Sequence, residues 1–231
     1  MFFDPIYIIM ILPALLLAMW ASWRVKANFK KYSQIRSGRG LTGAQAAAEL
    51  LSSAGINDVR IVRAQGVGLS DHYHPVKKQL ALSEGVYDSP SVAAVGIAAH
   101  EAGHAIQHAE HYKPLWLRSL LVPTASVGSS LGYIVMLLGL FMASQNMVLV
   151  GAVLFSAVLI FQIVTLPVEF NASSRAKALL VNRGIITQRE REGVDKVLNA
   201  AAMTYVAAVV STLMTLLYFL LRAGLLGGRR D

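Results

Sequence analysis

The sequence contains no cysteine, so neither a disulfide framework nor a cysteine-ligated metal site can form. It is also short of acidic residues, with 13 aspartates and glutamates against 21 lysines and arginines, which leaves a formal net charge of +8. The basic residues accompany no nucleic-acid-binding motif, so nucleic acid is not an expected partner. Any metal site in this chain must therefore be built from histidine and carboxylate side chains.

Four long stretches lack charged residues altogether, namely 5–23, 119–143, 147–168 and 203–221. Each approaches the roughly 20 apolar residues that cross a bilayer. The alternative, a large soluble core of buried helices, would need more polar surface than a chain with 55% hydrophobic residues offers. The sequence therefore predicts an integral membrane protein, mainly α-helical, with four transmembrane helices in a lipid bilayer.

The basic residues predict the orientation of these helices. Residues 24–118 contain 12 lysines and arginines and residues 169–202 contain 6, whereas the C-terminal tail contains 3. Four spans place the first two regions on the same side, and the positive-inside rule makes that side cytoplasmic. The tail, with Arg222, Arg229 and Arg230, falls on the opposite side and disagrees mildly with the rule.

The 24–118 region is predicted to form a small α+β cytoplasmic domain. "LTGAQAAAELLSSAGI" predicts a short helix that Thr42 caps and Gly55 ends. "VRIVRAQG" and "KKQLALS" are typical of strands, and "SDHYHP" between them is typical of a turn. Residues 89–113 are predicted to follow as one long helix with Ser89 as its N-cap.

This long helix contains the motif HEAGH, formed by His100, Glu101, Ala102, Gly103 and His104. Positions i and i+4 of a helix lie about 40° apart in azimuth and one turn apart along the axis, so both imidazoles can reach one zinc ion. Glu101 is offset by about 100° from His100, where it can act as a general base without binding the metal. The alternative is an amphipathic helix that merely carries a stripe of histidines.

The third metal ligand must come from elsewhere in the chain. The extended motif with a third histidine requires glycine and histidine where this sequence has Gln107 and Glu110. His108 pairs with His104 at i+4 but is favoured as an ordinary helix-surface histidine. His111 lies about 16 Å along the axis from His100, too far to share its metal.

Glu169 is the leading candidate, because it is the first charged residue after two consecutive uncharged spans. These spans form a hairpin that returns the chain to the side it left, close to the end of the HEAGH helix. Topology alone leaves an ordinary interfacial glutamate as an alternative. The region that follows, 169–202, is predicted to be helical with a break at Gly184.

The order of these motifs resembles that of membrane gluzincins of the HtpX and CaaX prenyl protease types, in which a glutamate of an E-x-x-A-D run supplies the third ligand. This chain has "EFNAS" there, so Ser173 replaces the aspartate. A closer resemblance is to the YugP-like family of neutral zinc metallopeptidases. It is carried by "DHYHP", "LALSEGVY", "AAHEAGHAIQHAE", "LPVEFNASSRA" and "VLNAAAMTYVAA", and it runs from about residue 30 to residue 215.

The resemblance implies a zinc peptidase of the bacterial inner (plasma) membrane with a zincin-like fold. His100, His104 and Glu169 would hold Zn²⁺, and Glu101 would be the general base. The resemblance does not supply a natural substrate, and the predicted membrane location alone makes a membrane-associated peptide or protein the expected substrate. It assigns no role to His72, His74 or Ser173.

Two further features have competing interpretations. "QLALS" is either an edge strand that pairs with an extended peptide substrate or an ordinary hairpin strand. Arg175 is either a catalytic group that orients a ligand or stabilises an oxyanion, or an interfacial arginine that anchors its helix.

The alternative to an enzyme is a non-catalytic membrane protein that binds or transports zinc. Against it, the four spans carry no ionisable residues, and the HEAGH segment lies outside them. A scaffold with a degenerate site is a weaker alternative, because Glu101 of the motif is intact.

Overall fold

The computed structural model describes residues 4–64 and 70–226. The described chain is mainly helical, with one small sheet. Its helices are α1 Pro5–Tyr32, α2 Gly43–Ser53, α3 Glu84–Tyr87, α4 Val92–Ala109, α5 Lys113–Val127, α6 Tyr133–Phe141, α7 Gln145–Asn182 and α8 Gln188–Arg222, with a π-helical turn Gly128–Gly132 between α5 and α6. Its strands are β1 Arg60–Arg63, β2 His72–His74 and β3 Gln79–Leu82.

Four helical stretches of the described chain are long and apolar enough to cross a membrane: α1, Lys113–Phe141, α7 and α8. Three of them contain a charge-free segment in full, and Lys113–Phe141 contains 119–141 of the fourth, so the prediction of four candidate spans is confirmed at this level. Many of their large apolar side chains are exposed, including Trp23, Phe141 and Val153. Exposed apolar surface of this extent is typical of helices that contact lipid.

The chain divides into two compact units. The first contains residues 1–21, 116–167 and 203–231, and therefore most of the apolar helical segments. Its buried core includes Met136, Phe155 and Tyr218. Glycines allow close helix packing here: a Cβ at Gly132 would lie 2.6 Å from the Phe155 nitrogen, and one at Gly151 would lie 2.5 Å from the Met136 nitrogen. Small residues at helix contacts are the usual way in which membrane helices approach closely.

The first unit also contains a polar cluster that joins the start of α1 to the end of α8. The carboxylate of Asp4 accepts a hydrogen bond from the Tyr218 hydroxyl at 3.1 Å and pairs with the Arg222 guanidinium at 2.9 Å. Arg222 is one of the tail cations that disagree with the positive-inside rule, and the acidic partner offsets its charge. Arg229 and Arg230 lie outside the described residues, as does the end of the "VRIVRAQG" segment.

The second unit contains residues 22–115 and 168–202. Its core is formed largely by alanine and leucine of α2, α4 and the residues after 168, with Leu50, Leu80 and Ala98 fully buried. Thr42 caps α2 in a capping box with Gln45, as predicted. Gly55 and Gly184 follow their helices with positive φ, which also agrees with the predicted helix ends.

The sheet of the second unit has the order β1-β3-β2. Strand β1 pairs with β3 in parallel, with Arg60 opposite Gln79, and β2 pairs with β3 antiparallel, with Tyr73 opposite Leu80. Strand β3 is therefore central. The interpretation of "QLALS" as an edge strand is wrong, whereas its antiparallel pairing with β2 agrees with the alternative of an ordinary hairpin strand. Its Leu80, Ala81 and Leu82 are buried, which explains why this apolar segment occupies the middle.

Two other local predictions are corrected. "SDHYHP" is not simply a turn, because His72–His74 forms β2. Helix α4 begins at Val92 with Ser91 as its N-cap, whose side chain accepts a hydrogen bond from the Ala94 N–H. The Ser89 hydroxyl instead donates to that of Ser91 at 3.0 Å, and α4 ends at Ala109 instead of residue 113.

Candidate metal centre

Helix α4 carries the HEAGH motif in a buried position. Most of its residues are alanine, glycine or valine, and 14 of its 18 residues are buried. Gly103 lies directly against α7, since a Cβ at this position would be 2.9 Å from the Ala172 carbonyl oxygen. The small residue between the two histidines therefore allows the α4 backbone to approach the segment of α7 that contains Glu169.

His100, His104 and Glu169 are brought together at this contact. Glu169 Oε2 lies 3.2 Å from His100 Nε2 and 3.6 Å from His104 Nε2. The three candidate ligand atoms lie within 4.8 Å of one another, and Glu169 is 2% exposed. Within the described part of the chain, this is the only cluster of at least three histidines and carboxylates that could hold a metal ion.

Two of the three spacings between these atoms are close to those expected around a zinc ion. Zinc binds histidine nitrogen and carboxylate oxygen at about 2.0–2.2 Å with tetrahedral geometry, which puts neighbouring ligand atoms about 3.3–3.5 Å apart. The two distances from Glu169 Oε2, 3.2 and 3.6 Å, lie close to this range. Two histidines and one carboxylate would leave a fourth position open, as in catalytic zinc sites.

The outer nitrogens of both histidines have hydrogen-bond partners without charge. His104 Nδ1 lies 3.0 Å from Gln107 Oε1, and Gln107 is fully buried. His100 Nδ1 lies 3.1 Å from the Ser173 hydroxyl. Such partners orient metal-binding imidazoles, and they are frequently carboxylates or carbonyls. Here the serine at position 173, where the resembled gluzincins have aspartate, contacts the first histidine of the motif.

The pKa of His104 is shifted by its surroundings. Burial lowers it, but the nearby Glu169 carboxylate and the negative charge of Glu101 outweigh burial, so the pKa lies above its ordinary value. In the metal-free protein, the carboxylates of Glu101 and Glu169 therefore favour a positive charge on His104, in the position where a metal cation would be held.

Glu101 is 8% exposed and lies on the same helix as the two histidines. Its charge also acts on Asp71, which directly precedes β2. Burial raises the pKa of Asp71, and the negative charge of Glu101 adds to this effect, although hydrogen bonds from the Ser83 amide and hydroxyl oppose it. A second carboxyl group therefore lies within electrostatic range of Glu101, and sequence analysis did not single it out.

The remaining sequence candidates have other partners. His108 Nδ1 is 2.8 Å from the Tyr73 hydroxyl, and both residues border a cavity of about 640 Å³ that Asp58, Lys78 and His111 also line. The two histidines of β2 are occupied locally, because His72 Nδ1 hydrogen-bonds the Ser70 carbonyl and His74 Nδ1 accepts from the Lys77 amide.

Arg175 contacts Glu110 and Asn171 instead of the histidine–glutamate cluster. Gln107 and Asn171 connect Arg175 to the histidine–glutamate cluster, and neither was predicted from the sequence. The only available signal was their helical spacing from His104 and Arg175, at i+3 and i−4.

Fold and site together define a membrane-type helical protein with a buried cluster of two histidines and a glutamate. A family model described as "Putative neutral zinc metallopeptidase" matches residues 7–224, and the chain belongs to this family. The chain is also 44% identical over 216 residues to a Bacillus subtilis (strain 168) protein named "Putative membrane protease YugP", which covers 94% of this chain and 96% of that relative. No solved structure matches. The resemblance to the YugP-like family that was inferred from the sequence motifs is thereby confirmed.

Proposed function

We propose that the protein is a membrane zinc metallopeptidase of the gluzincin type, in which His100, His104 and Glu169 bind Zn²⁺. The observation that carries this proposal is the convergence of the two Nε2 atoms and Glu169 Oε2 in a buried cluster. Membership of a family of zinc metallopeptidases supports the choice of metal and of reaction. When bound, zinc supplies a Lewis acid that lowers the pKa of water and polarises a carbonyl group.

Glu101 is proposed as the general base of peptide-bond hydrolysis. Its carboxylate takes a proton from the attacking water and returns it to the amine that leaves when the peptide bond breaks. The small exposure of Glu101 limits competing solvent, which favours proton transfer to and from the substrate. The hydrogen bonds that Asp71 accepts from the Ser83 amide and hydroxyl would help to keep the neighbouring strand β2 in place.

The substrate is proposed to be a peptide segment of a membrane-associated protein. Among the described residues β2 lies at the edge of the sheet, and Tyr73 of β2 contacts His108 of α4. An extended peptide could therefore add to β2 next to the HEAGH helix, with side chains entering the cavity lined by Tyr73 and His108. This replaces β3, which is central, as the candidate strand for substrate pairing.

A multi-pass location in the bacterial inner membrane is proposed, with the site facing the cytoplasm. The relative named as a membrane protease and the four apolar helices support the membrane location. The side of the membrane rests on the basic residues, 18 of 21 of which lie in the 24–118 and 169–202 regions. The zincin-like character of the second unit rests on its HExxH helix packed beside a small sheet.

The proposal is tested first by measuring zinc in detergent-purified wild type, Glu169→Ala and Glu101→Gln. We expect one zinc per chain in the wild type, a large loss in Glu169→Ala, and full retention in Glu101→Gln. Full zinc in Glu169→Ala would move the third ligand elsewhere. No zinc in the wild type after reconstitution would refute the metal site.

Proteolysis then separates an enzyme from a zinc-binding or zinc-transport protein. Wild type and Glu101→Gln are incubated with a library of peptides and with membrane protein extracts, and new termini are identified by mass spectrometry. Cleavage that requires Glu101 supports the peptidase. Zinc uptake into vesicles that is equal for both proteins, without any cleavage, would favour transport.

A further inference from the structure

We propose that Arg175 is a positioning residue that fixes the tautomer of His104 through Asn171 and Gln107. In this tautomer the proton sits on Nδ1, and Nε2 is free to bind the metal. The metal-binding consequence rests on the proposed ligation by His104, whereas the tautomer of the neutral imidazole can be measured separately in the metal-free protein.

A continuous chain of hydrogen bonds leads from Arg175 to His104. Arg175 Nε donates to Asn171 Oδ1 at 2.7 Å, and Gln107 Nε2 donates to the same oxygen at 2.9 Å. Gln107 Nε2 also donates to the Val168 carbonyl oxygen at 2.9 Å, and Gln107 Oε1 faces His104 Nδ1 at 3.0 Å. The chain therefore connects α4 and α7 beside the candidate metal ligands.

The direction of every bond in this chain follows from its fixed ends. A guanidinium group has donors only, so it requires the oxygen of the Asn171 amide and not its nitrogen. That oxygen requires a donor from Gln107, and so does the Val168 carbonyl. Both hydrogens of the Gln107 amide are thereby used, and its oxygen must face His104. The imidazole can meet that oxygen only as a donor from Nδ1, and a neutral imidazole then has its lone pair on Nε2.

Arg175 is itself held in place at its other end. Its Nη1 pairs with Glu110 Oε2 at 2.7 Å, at the C-terminal cap of α4, and the Arg175 side chain is 27% exposed. Gln107 is fully buried, so water cannot satisfy its amide if it rotates by 180°. Without Arg175, the Asn171 amide could rotate and place its nitrogen towards Gln107, which would remove one of the two acceptors that orient the Gln107 amide and leave only the Val168 carbonyl.

The role of Arg175 predicted from this chain of hydrogen bonds differs from oxyanion stabilisation and from membrane anchoring. Hydrogen-bond partners of metal-binding histidines typically change metal affinity 10–100-fold when they are removed. Gln107 is the direct partner of His104, so we expect the largest effect there. Arg175 acts two groups further away, and we expect an effect of about tenfold or less.

The test uses full-length protein in detergent and compares four variants. Arg175→Met and Asn171→Leu interrupt the chain of hydrogen bonds. As matched controls, Arg175→Lys keeps a donor-only group and Asn171→Asp keeps acceptor oxygens. Zinc affinity is measured by competition with a chelator. The His104 tautomer is measured by NMR in metal-free, ¹⁵N-histidine-labelled protein at a pH above the raised pKa of His104, where the imidazole is neutral. The signal is assigned with a His104→Gln variant.

We expect the Nδ1–H tautomer and near wild-type zinc affinity in Arg175→Lys and Asn171→Asp. We expect mixed tautomers and weaker zinc binding, by about three- to tenfold, in Arg175→Met and Asn171→Leu. A pure Nδ1–H form in folded Arg175→Met would overturn the proposal. Equal losses of zinc affinity in Arg175→Met and Arg175→Lys would also overturn it. If Asn171→Leu fails to fold, the Met and Lys pair at position 175 still decides. Correct tautomers in a protein that binds no zinc would refute the metal site but not the hydrogen-bond chain.

Discussion

Replacing Gly103 with alanine tests whether the contact between α4 and α7 sets the position of Glu169. The new Cβ would lie 2.9 Å from the Ala172 carbonyl oxygen and 3.4 Å from the Ala172 carbonyl carbon and Cα. All three are backbone atoms, so no side-chain rotation can relieve the contact. Ordinary contact distances to a Cβ begin near 3.4 Å, so the two backbones must separate locally by about 0.5 Å.

This displacement is large compared with what a metal site tolerates. Glu169 lies one turn before Ala172 on the same helix, so a shift of the Ala172 backbone carries the glutamate away from the histidines. Metal–ligand distances are held within about 0.2 Å in well-formed sites. We therefore expect Gly103→Ala to weaken zinc binding by about 10–100-fold, which corresponds to about 1.4–2.7 kcal/mol.

Zinc affinity and the thermal stability of the metal-free protein are measured side by side. Alanine in place of glycine favours a helix by about 1 kcal/mol, so the metal-free variant should lose little stability. Gly96→Ala on the same helix is the matched control. Its Cβ would lie 3.2 Å from the Val194 Cγ1 atom, a side-chain methyl that can move. We expect its zinc affinity to stay within about threefold of wild type.

Two outcomes would refute this reasoning. If Gly103→Ala binds zinc as tightly as wild type, either the contact does not position Glu169 or the glutamate is not a ligand. If Gly96→Ala and Gly103→Ala weaken zinc binding equally, the effect arises from α4 as a whole and not from its contact with Ala172.

Three further predictions concern other parts of the molecule. Because the pKa of His104 lies above its ordinary 6.5 in the metal-free protein, protons compete with zinc at higher pH than at an ordinary histidine. Zinc affinity in chelator titrations should fall about tenfold per pH unit below that pKa. The contribution of His104 to metal-free stability should be fully present below pH 6.5 and decline as pH rises through the raised pKa. A zinc affinity that does not change between pH 8 and 6 would contradict this. Ser173→Ala should weaken zinc binding about tenfold. Ser173→Asp should bind zinc at least as tightly as wild type, since a carboxylate is a stronger partner for a histidine N–H. The reverse order of affinities would show that the Ser173 hydroxyl has no orienting role. Gly151→Leu places a side chain against the Met136 backbone and should lower the melting temperature in detergent, whereas Gly85→Ala, whose Cβ meets nothing within 4 Å, should not.

The sequence predicts the candidate ligands better than it predicts their surroundings. The i, i+4 spacing of His100 and His104 and the absence of charge in two successive spans are regular patterns, and together they predicted that Glu169 would return to the histidines. The structure brings the three side chains together. Gln107 and Asn171 could not be singled out, because their roles depend on which atoms of two helices face each other, and amide side chains carry no periodic signal.

The errors in the sheet have a similar cause. Strand β2 is only three residues long, and its histidines flanked by Asp71 and Pro75 are typical of a turn. Pairing with β3 on one side provides the backbone hydrogen bonds that stabilise it. The central position of β3 also depends on the parallel partner β1, and long-range pairing of this kind leaves no trace in the local sequence.

The ion pair between Asp4 and Arg222 has a consequence for assembly. The two residues are separated by nearly the whole chain, and Arg222 ends the last apolar helix. Synthesis runs from the N-terminus to the C-terminus, so Asp4 has no partner from α8 until α8 has been made. This pair can therefore form only after α8 has been made, and a cysteine cross-link between positions 4 and 222 would trap only chains in which the end of α8 has packed beside the start of α1.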